Sequence, residues 1–242
     1  AAVGRDQIAL CDRNCHKSIE HSLVMSGAIP QYLVPLRNRY GIIGPIPGDR
    51  LKPAALKAAI KVNPLATKGI DPKPVHAIIT NSTYDGLIYN VERIIEIAGD
   101  VIDRLHFDEA WYAYARFNPL YKGRYAMFGD TADYRDGPTV FATHSTHKLL
   151  AALSQASFIH IRDGRDPIDH ARFNESFMMH ASTSPFYPII VSNEISAAMM
   201  DGASGVALTT ESIREAVGFR VTVGRIRRQY AERGHWFFST WN

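Results

Sequence analysis

Cysteine is nearly missing from this 242-residue sequence, which holds only Cys11 and Cys15. Two thiols four positions apart argue against a disulfide framework, and with no second ligand pair they argue against structural zinc. A charge imbalance is missing as well. Lys and Arg total 27 against 24 Asp and Glu, a net charge of +3, too slight for a nucleic-acid footprint. The one basic concentration, Arg220, Arg225, Arg227, Arg228 and Arg233, has the spacing of an outer helix face and no interleaved aromatic platforms, so it reads as a solvated or subunit-facing surface. No apolar run approaches a membrane span, and residues 1–5 carry neither a basic leader nor an apolar signal core. The expected location is the cytoplasm, with no membrane partner.

What is present is a soluble, core-forming composition, 46% hydrophobic, enough for one large domain or two small ones. Short apolar runs at 8–11, 32–34, 75–80, 104–107, 139–143 and 158–161 read as strands. Amphipathic stretches at 16–26, 53–62 and 91–99 read as helices between them. This alternation is the pattern of an α/β fold, a mostly parallel sheet with helices on both faces. Residues 118–138, punctuated by Pro119, Gly123, Gly129, Gly137 and Pro138, read as a long loop. Beyond residue 161 the pattern turns helical, at 169–180, 191–200 and 210–231, with breaks at 182–185 and 202–205. The chain opens on Ala1 rather than Met and ends on the aromatic run Trp236, Phe237, Phe238 and Trp241. Both ends lead to the expectation that the sequence is the central portion of a larger subunit.

In such sheets ligands gather beyond the carboxyl ends of the strands. His16, residues 81–85, Asp108 and residues 145–148 each fall just past an expected strand end. Lys148 stands among the hydroxyl and imidazole donors Ser145 and His147, and Asp108 closes the strand about 40 residues earlier. That is the pair that pyridoxal phosphate chemistry requires: a lysine to form the imine and a carboxylate to keep the pyridine nitrogen protonated. An arbitrary lysine at a helix start points at solvent, and an Asp after a strand commonly caps the next turn. Residues 149–153, Leu-Leu-Ala-Ala-Leu, are expected to form a helix or buried segment that fixes the lysine's stem. His144 and His147 form His-x-x-His, but without a third ligand motif the metal reading is weak, and no metal is expected.

The words around these residues are more specific. Asp12-Arg13-Asn14-Cys15-His16-Lys17-Ser18, Thr80-Asn81-Ser82-Thr83-Tyr84-Asp85-Gly86, His106-Phe107-Asp108-Glu109-Ala110-Trp111 and Ser145-Thr146-His147-Lys148-Leu149-Leu150 occur in one order. Along the whole chain they resemble the bacterial inducible ornithine/lysine/arginine decarboxylases, of pyridoxal phosphate fold type I. The resemblance implies pyridoxal 5'-phosphate as cofactor, a basic amino acid as substrate, and homodimers assembling into larger homo-oligomers. It implies Lys148 as the imine lysine, Asp108 as the ring-nitrogen partner and His16 stacked on the ring. Ala110 would contact the cofactor, and Trp111 would either buttress its phosphate side or belong only to the core. Ser145 and His147 would reach the phosphate, and Ser182 would either lie at a subunit interface near the partner's phosphate or belong only to a helix-to-helix turn. It also implies that an N-terminal domain, an earlier phosphate loop and a C-terminal domain belong to the full-length protein. Residues 35–46 and 113–119 are worded closer to the arginine branch than to the lysine or ornithine branches. An aminotransferase using the same Asp and Lys, and a non-catalytic assembly fragment, are the alternatives from other classes.

Overall fold

The computed structural model describes residues 2–67, 69–130, 134, 136–235 and 238–240. Residues 8–11, IALC, are apolar without alternation, as a strand covered on both faces requires, and Asp12 closes the run. They form β1 (Ile8–Asp12), buried at every position. The helix α1 (Lys17–Ser26) and the strand β2 (Ile29–Leu33) follow. Next come α2 (Pro53–Lys61), β3 (Pro74–Thr80), α3 (Val91–Ala98), β4 (Arg104–Asp108) and β5 (Thr139–His144). A single turn, α4 (Thr146–Leu149), precedes the last strand, β6 (Phe158–Arg162). One six-stranded sheet results, in the order β2-β1-β3-β4-β5-β6. Every neighbouring pair is parallel except β5 and β6.

The two sheet faces are covered by different helices. Ile8 and Leu10 point into a core with Leu56 and Ile60 of α2 and Val91, Ile94 and Ala98 of α3. Ala9 and Cys11, one position out of step, pack against Leu23 and Ile19 of α1 on the opposite face. The alternation follows from the two-residue repeat of a strand. β2 begins three residues before the expected 32–34 because Pro30 is tolerated there. Ile29 donates its N–H to Gln7, so the Pro30 nitrogen faces the open edge, where no ladder bond is lost.

The helical segment consists of α5 (His170–Met178), α6 (Tyr187–Met200) and α7 (Gly202–Tyr230). A break was expected across 202–205 and a helix only from 210, whereas α7 begins at Gly202. Gly205 lies inside its first turns for steric reasons: a Cβ there would stand 2.0 Å from the Met200 carbonyl oxygen and 3.1 Å from Phe117 Cβ. The glycine permits close approach rather than a loop. The Asn118 amide then donates to the hydroxyls of Thr209 (3.0 Å) and Thr210 (3.1 Å), pinning α7 to the long connection. That connection is packed where described: Pro119–Tyr121 forms a 3-10 turn and Ala126 is fully buried. Arg220, Arg225, Arg227 and Arg228 lie exposed on α7, and Arg233 is exposed just beyond it. Of the aromatic end, Trp236, Phe237 and Trp241 lie outside the described residues. Among the described residues no helix is long and apolar enough to cross a membrane.

Two histidines, His76 buried and His160 half-buried, make stability pH-dependent. His76 on β3 has its pKa lowered from 6.5 to about 3, first by burial and then by His106 and Arg104; its Nδ1 has no hydrogen-bond partner among the described residues. His160 on β6 is lowered to about 4, by burial and then by His144. Below 6.5 the unfolded chain takes up these protons while the folded chain refuses them, so stability falls as pH drops toward those lowered values. Asp12, whose carboxyl is raised by burial, acts in the opposite sense at the acid end. The thermal midpoint is therefore expected to be lower at about pH 5 than at about pH 8, and His76→Phe should flatten that dependence while keeping a ring beside Phe141. An unchanged difference in midpoint would show that His76 is not a source of it.

Candidate active site

The carboxyl ends of β1, β3, β4 and β5 open on one cleft of about 560 Å³. Its lining brings together His16, Asp108, Ala110, Trp111, Ser145 and Lys148, six of the eight residues expected from sequence. They come from the end of β4 and from the segments that follow β1, β4 and β5, which the sheet order makes neighbours.

β4 sets the floor. Asp108 is in register with Thr80 of β3 and Thr143 of β5, so the three side chains emerge on one face. Asp108 Oδ1 accepts the Ala110 N–H at 3.1 Å. His106, two residues earlier on the same face, shares a 2.7 Å hydrogen bond with Thr143 Oγ1. Burial lowers its pKa against the opposing pull of Asp108.

β1 supplies a wall. Buried Asp12 accepts the backbone N–H groups of Asn14 (2.8 Å) and Thr80 (3.2 Å), and Thr80 Oγ1 donates to the Asn14 carbonyl at 3.1 Å. These bonds join the end of β1 to the end of β3. His16 then caps α1, its Nδ1 accepting the Ser18 N–H at 3.3 Å, which sets the imidazole at the mouth of the cleft. The cap is a local structural duty that coexists with lining the site.

α4 supplies the lysine. Lys148 Nζ lies 5.0 Å from the centre of the Trp111 ring, and Tyr84 meets that ring edge-on at 5.3 Å. Among the described residues no carboxylate pairs with Lys148. The helix or buried segment expected over 149–153 is not formed. α4 ends at Leu149, and Leu149 and Leu153 are exposed. What holds α4 is Thr146, buried against Asn193 of α6 through a hydrogen bond between their side chains.

Two expected residues stand apart from the cleft. His147 turns its Nδ1 to the Ala156 carbonyl at 2.7 Å. Ser182 is exposed in the turn before α6, where its hydroxyl accepts the Ser184 N–H at 3.1 Å. Sequence reading missed Glu109. Fully buried, it accepts from Asn81 Nδ2 at 2.9 Å, the Ala126 N–H at 2.8 Å and His144 Nε2 at 2.9 Å. Its signal was present as a charged residue directly after a strand end, but its partners are 28, 17 and 35 positions away.

The residues present fit a planar, phosphorylated pyridine: an amine on one side, a carboxylate on the floor, and flat rings from His16 and Trp111 at the walls. The sheet, with a helical segment after it, is that of the pyridoxal phosphate fold type I enzymes. The chain belongs to the family described as Orn/Lys/Arg decarboxylase, major domain, which it matches over residues 1–242. Enzymes of this family depend on pyridoxal phosphate. The chain is similar to the biodegradative arginine decarboxylase of Escherichia coli (strain K12), 52% identical over 242 residues, covering 100% of this chain and 32% of the relative. It is also similar to the lysine decarboxylase LdcA of Pseudomonas aeruginosa, 54% identical over 240 residues, 99% of this chain and 31% of the relative. The solved structure of lysine decarboxylase A from Pseudomonas aeruginosa matches with a TM-score of 0.89 at 53% identity, covering 98% of this chain and 31% of that one. The chain thus spans about a third of the length of these relatives.

Proposed function

We propose that residues 1–242 are the central, cofactor-binding portion of a larger pyridoxal phosphate-dependent subunit that decarboxylates a basic amino acid. The observation that carries this is the meeting of Lys148, Asp108 and His16 in one cleft from the ends of β5, β4 and β1. When bound, the cofactor supplies an electron sink for the pair released as a bond to the substrate α-carbon breaks. The Asp108 carboxylate would hold the proton on the ring nitrogen. Lys148 Nζ would bind the cofactor and move protons at the substrate α-carbon. The His16 ring would pack against the cofactor ring, Ala110 would leave room for it, Trp111 would confine the lysine, and the Ser145 hydroxyl would serve the phosphate. His147 and Ser182 would serve the phosphate, Ser182 from across a subunit interface.

Arginine, giving agmatine and carbon dioxide, is the preferred substrate, on the wording of residues 35–46 and 113–119. Lysine and then ornithine follow. A homodimer building larger homo-oligomers in the cytoplasm is the proposed assembly. Exposed apolar side chains along α6 and α7, among them Val191, Ile195, Phe219 and Val221, support a covered face there. Borohydride reduction of the cofactor-loaded protein followed by peptide mapping is expected to place the pyridoxyl group on Lys148, and turnover of arginine is expected to yield agmatine and carbon dioxide. Label on Lys17 or Lys122 would sink the lysine assignment. Formation of an oxo acid in place of carbon dioxide would favour an aminotransferase.

A further inference from the structure

Glu109 follows Asp108 but points the other way. Asp108 lines the cleft, whereas Glu109 is buried beside Ala126, behind the strand ends. Strand alternation requires this opposition. Glu109 therefore does not line the cleft, and its chemistry needs another explanation.

An ionised carboxylate removed from water costs several kcal/mol unless donors replace its hydration. Glu109 has three. Oε1 accepts from Asn81 Nδ2 (2.9 Å) and from the Ala126 N–H (2.8 Å), and Oε2 is 2.9 Å from His144 Nε2. An amide N–H, a backbone N–H and an imidazole N–H all donate, which suits an acceptor-only carboxylate.

The three donors come from three different parts of the chain. Asn81 directly follows β3, and its backbone N–H donates to the Asp108 carbonyl at 2.8 Å. His144 is the last residue of β5 and immediately precedes Ser145, the residue that caps α4. Ala126 belongs to the long connection, whose Arg124 carbonyl accepts from the same Asn81 amide at 3.0 Å. The Glu109 N–H itself donates to Thr143 at 3.0 Å. One buried carboxylate thus ties the ends of β3, β4 and β5 together, Glu109 standing one residue from Asp108 and its partner His144 four residues before Lys148.

We infer that Glu109 is a positioning residue, clamping the three strand ends so that Asp108 and Lys148 stand at a fixed separation across the cofactor slot. This rests on the assignment of Asp108 and Lys148 to the cofactor. The full-length protein carrying this chain is tested as wild type, Glu109→Ala, Glu109→Gln and His144→Phe, with pyridoxal phosphate as titrant. In Glu109→Ala the apparent Kd for pyridoxal phosphate is expected to rise and kcat at saturating cofactor to fall, each about 10- to 100-fold, with substrate KM changed less than about threefold. Glu109→Gln keeps a carbonyl oxygen for Asn81 and Ala126 and is expected to recover most of both losses. A residue that only stabilised the fold would lower the thermal midpoint without changing kcat of the loaded enzyme.

Glu109→Ala with both constants within about twofold of wild type overturns the inference. So does Glu109→Gln damaged as severely as the alanine variant, since charge rather than position would then be responsible. Should Glu109→Ala fail to fold, His144→Phe decides. It keeps a ring against His160 (centres 4.8 Å apart in the native pair) but removes one arm of the clamp, and unchanged constants in that variant reject the role. Borohydride mapping of the wild type separates the two levels. Label away from Lys148 rejects the site assignment itself, and label on Lys148 with an unaffected Glu109→Ala rejects only the clamp.

Discussion

Lys148→Ala is expected to lower turnover by at least about 10²- to 10⁴-fold, the range lost with a positioned acid-base group, while the protein stays folded. The fold is insensitive for a local reason. Lys148 sits in the one-turn α4, and among the described residues its side chain contributes a face-on contact with Trp111, 5.0 Å from Nζ to the ring centre. The anchor of that turn is Thr146 on Asn193, which the substitution leaves in place. A cation over an aromatic ring at a partly exposed site contributes about 0.5–1 kcal/mol, so the thermal midpoint should move little. Lys17, which also lines the cleft, sits at the start of α1 beside His16 rather than beyond β5. Carbon dioxide release by Lys148→Ala above about a tenth of the wild-type rate would show that another amine does the work.

How much of this was legible in the sequence differs from residue to residue. The strand runs were readable because buried parallel strands are written as short continuous apolar words, and IALC at the start of β1 is one of them. Asp108 and Lys148 were readable because each falls just past such a word. Their meeting depends on the order β1-β3-β4-β5, which topology rules for α/β sheets supply. The segment after Lys148 misled. Leu149-Leu150-Ala151-Ala152-Leu153 has the composition of a helix, yet the chain leaves α4 at Leu149 and holds it from α6 through Asn193, a contact 47 positions from Thr146. Gly202 and Gly205 misled in the opposite sense. Glycine punctuates chains when φ is positive, as at Gly202 (φ 60°), but at Gly205 it serves packing against Met200 and Phe117. The Glu109 clamp was invisible, because nothing near Glu109 in the chain states that Asn81, Ala126 and His144 will surround it.

Asp108→Asn is expected to leave pyridoxal phosphate attached at Lys148 and to lower kcat about 10²- to 10³-fold, equivalent to about 3–4 kcal/mol for one preorganised electrostatic group. The substitution is nearly isosteric, and the asparagine carbonyl oxygen still accepts the Ala110 N–H that Asp108 takes at 3.1 Å. Thr80 and Thr143 remain on either side in the same register. What changes is charge, since a neutral amide no longer stabilises a proton on the ring nitrogen, and the ring loses its capacity to accept the electron pair. His106 cannot take over. Its pKa is lowered by burial, and the Asp108 charge that partly offsets that lowering disappears in the variant. The loss should therefore fall on kcat rather than on substrate KM, and raising the cofactor concentration should not restore it. The decisive measurement pairs borohydride mapping with single-turnover carbon dioxide release. A variant labelled on Lys148 that decarboxylates at near-wild-type rate would remove Asp108 from the ring nitrogen.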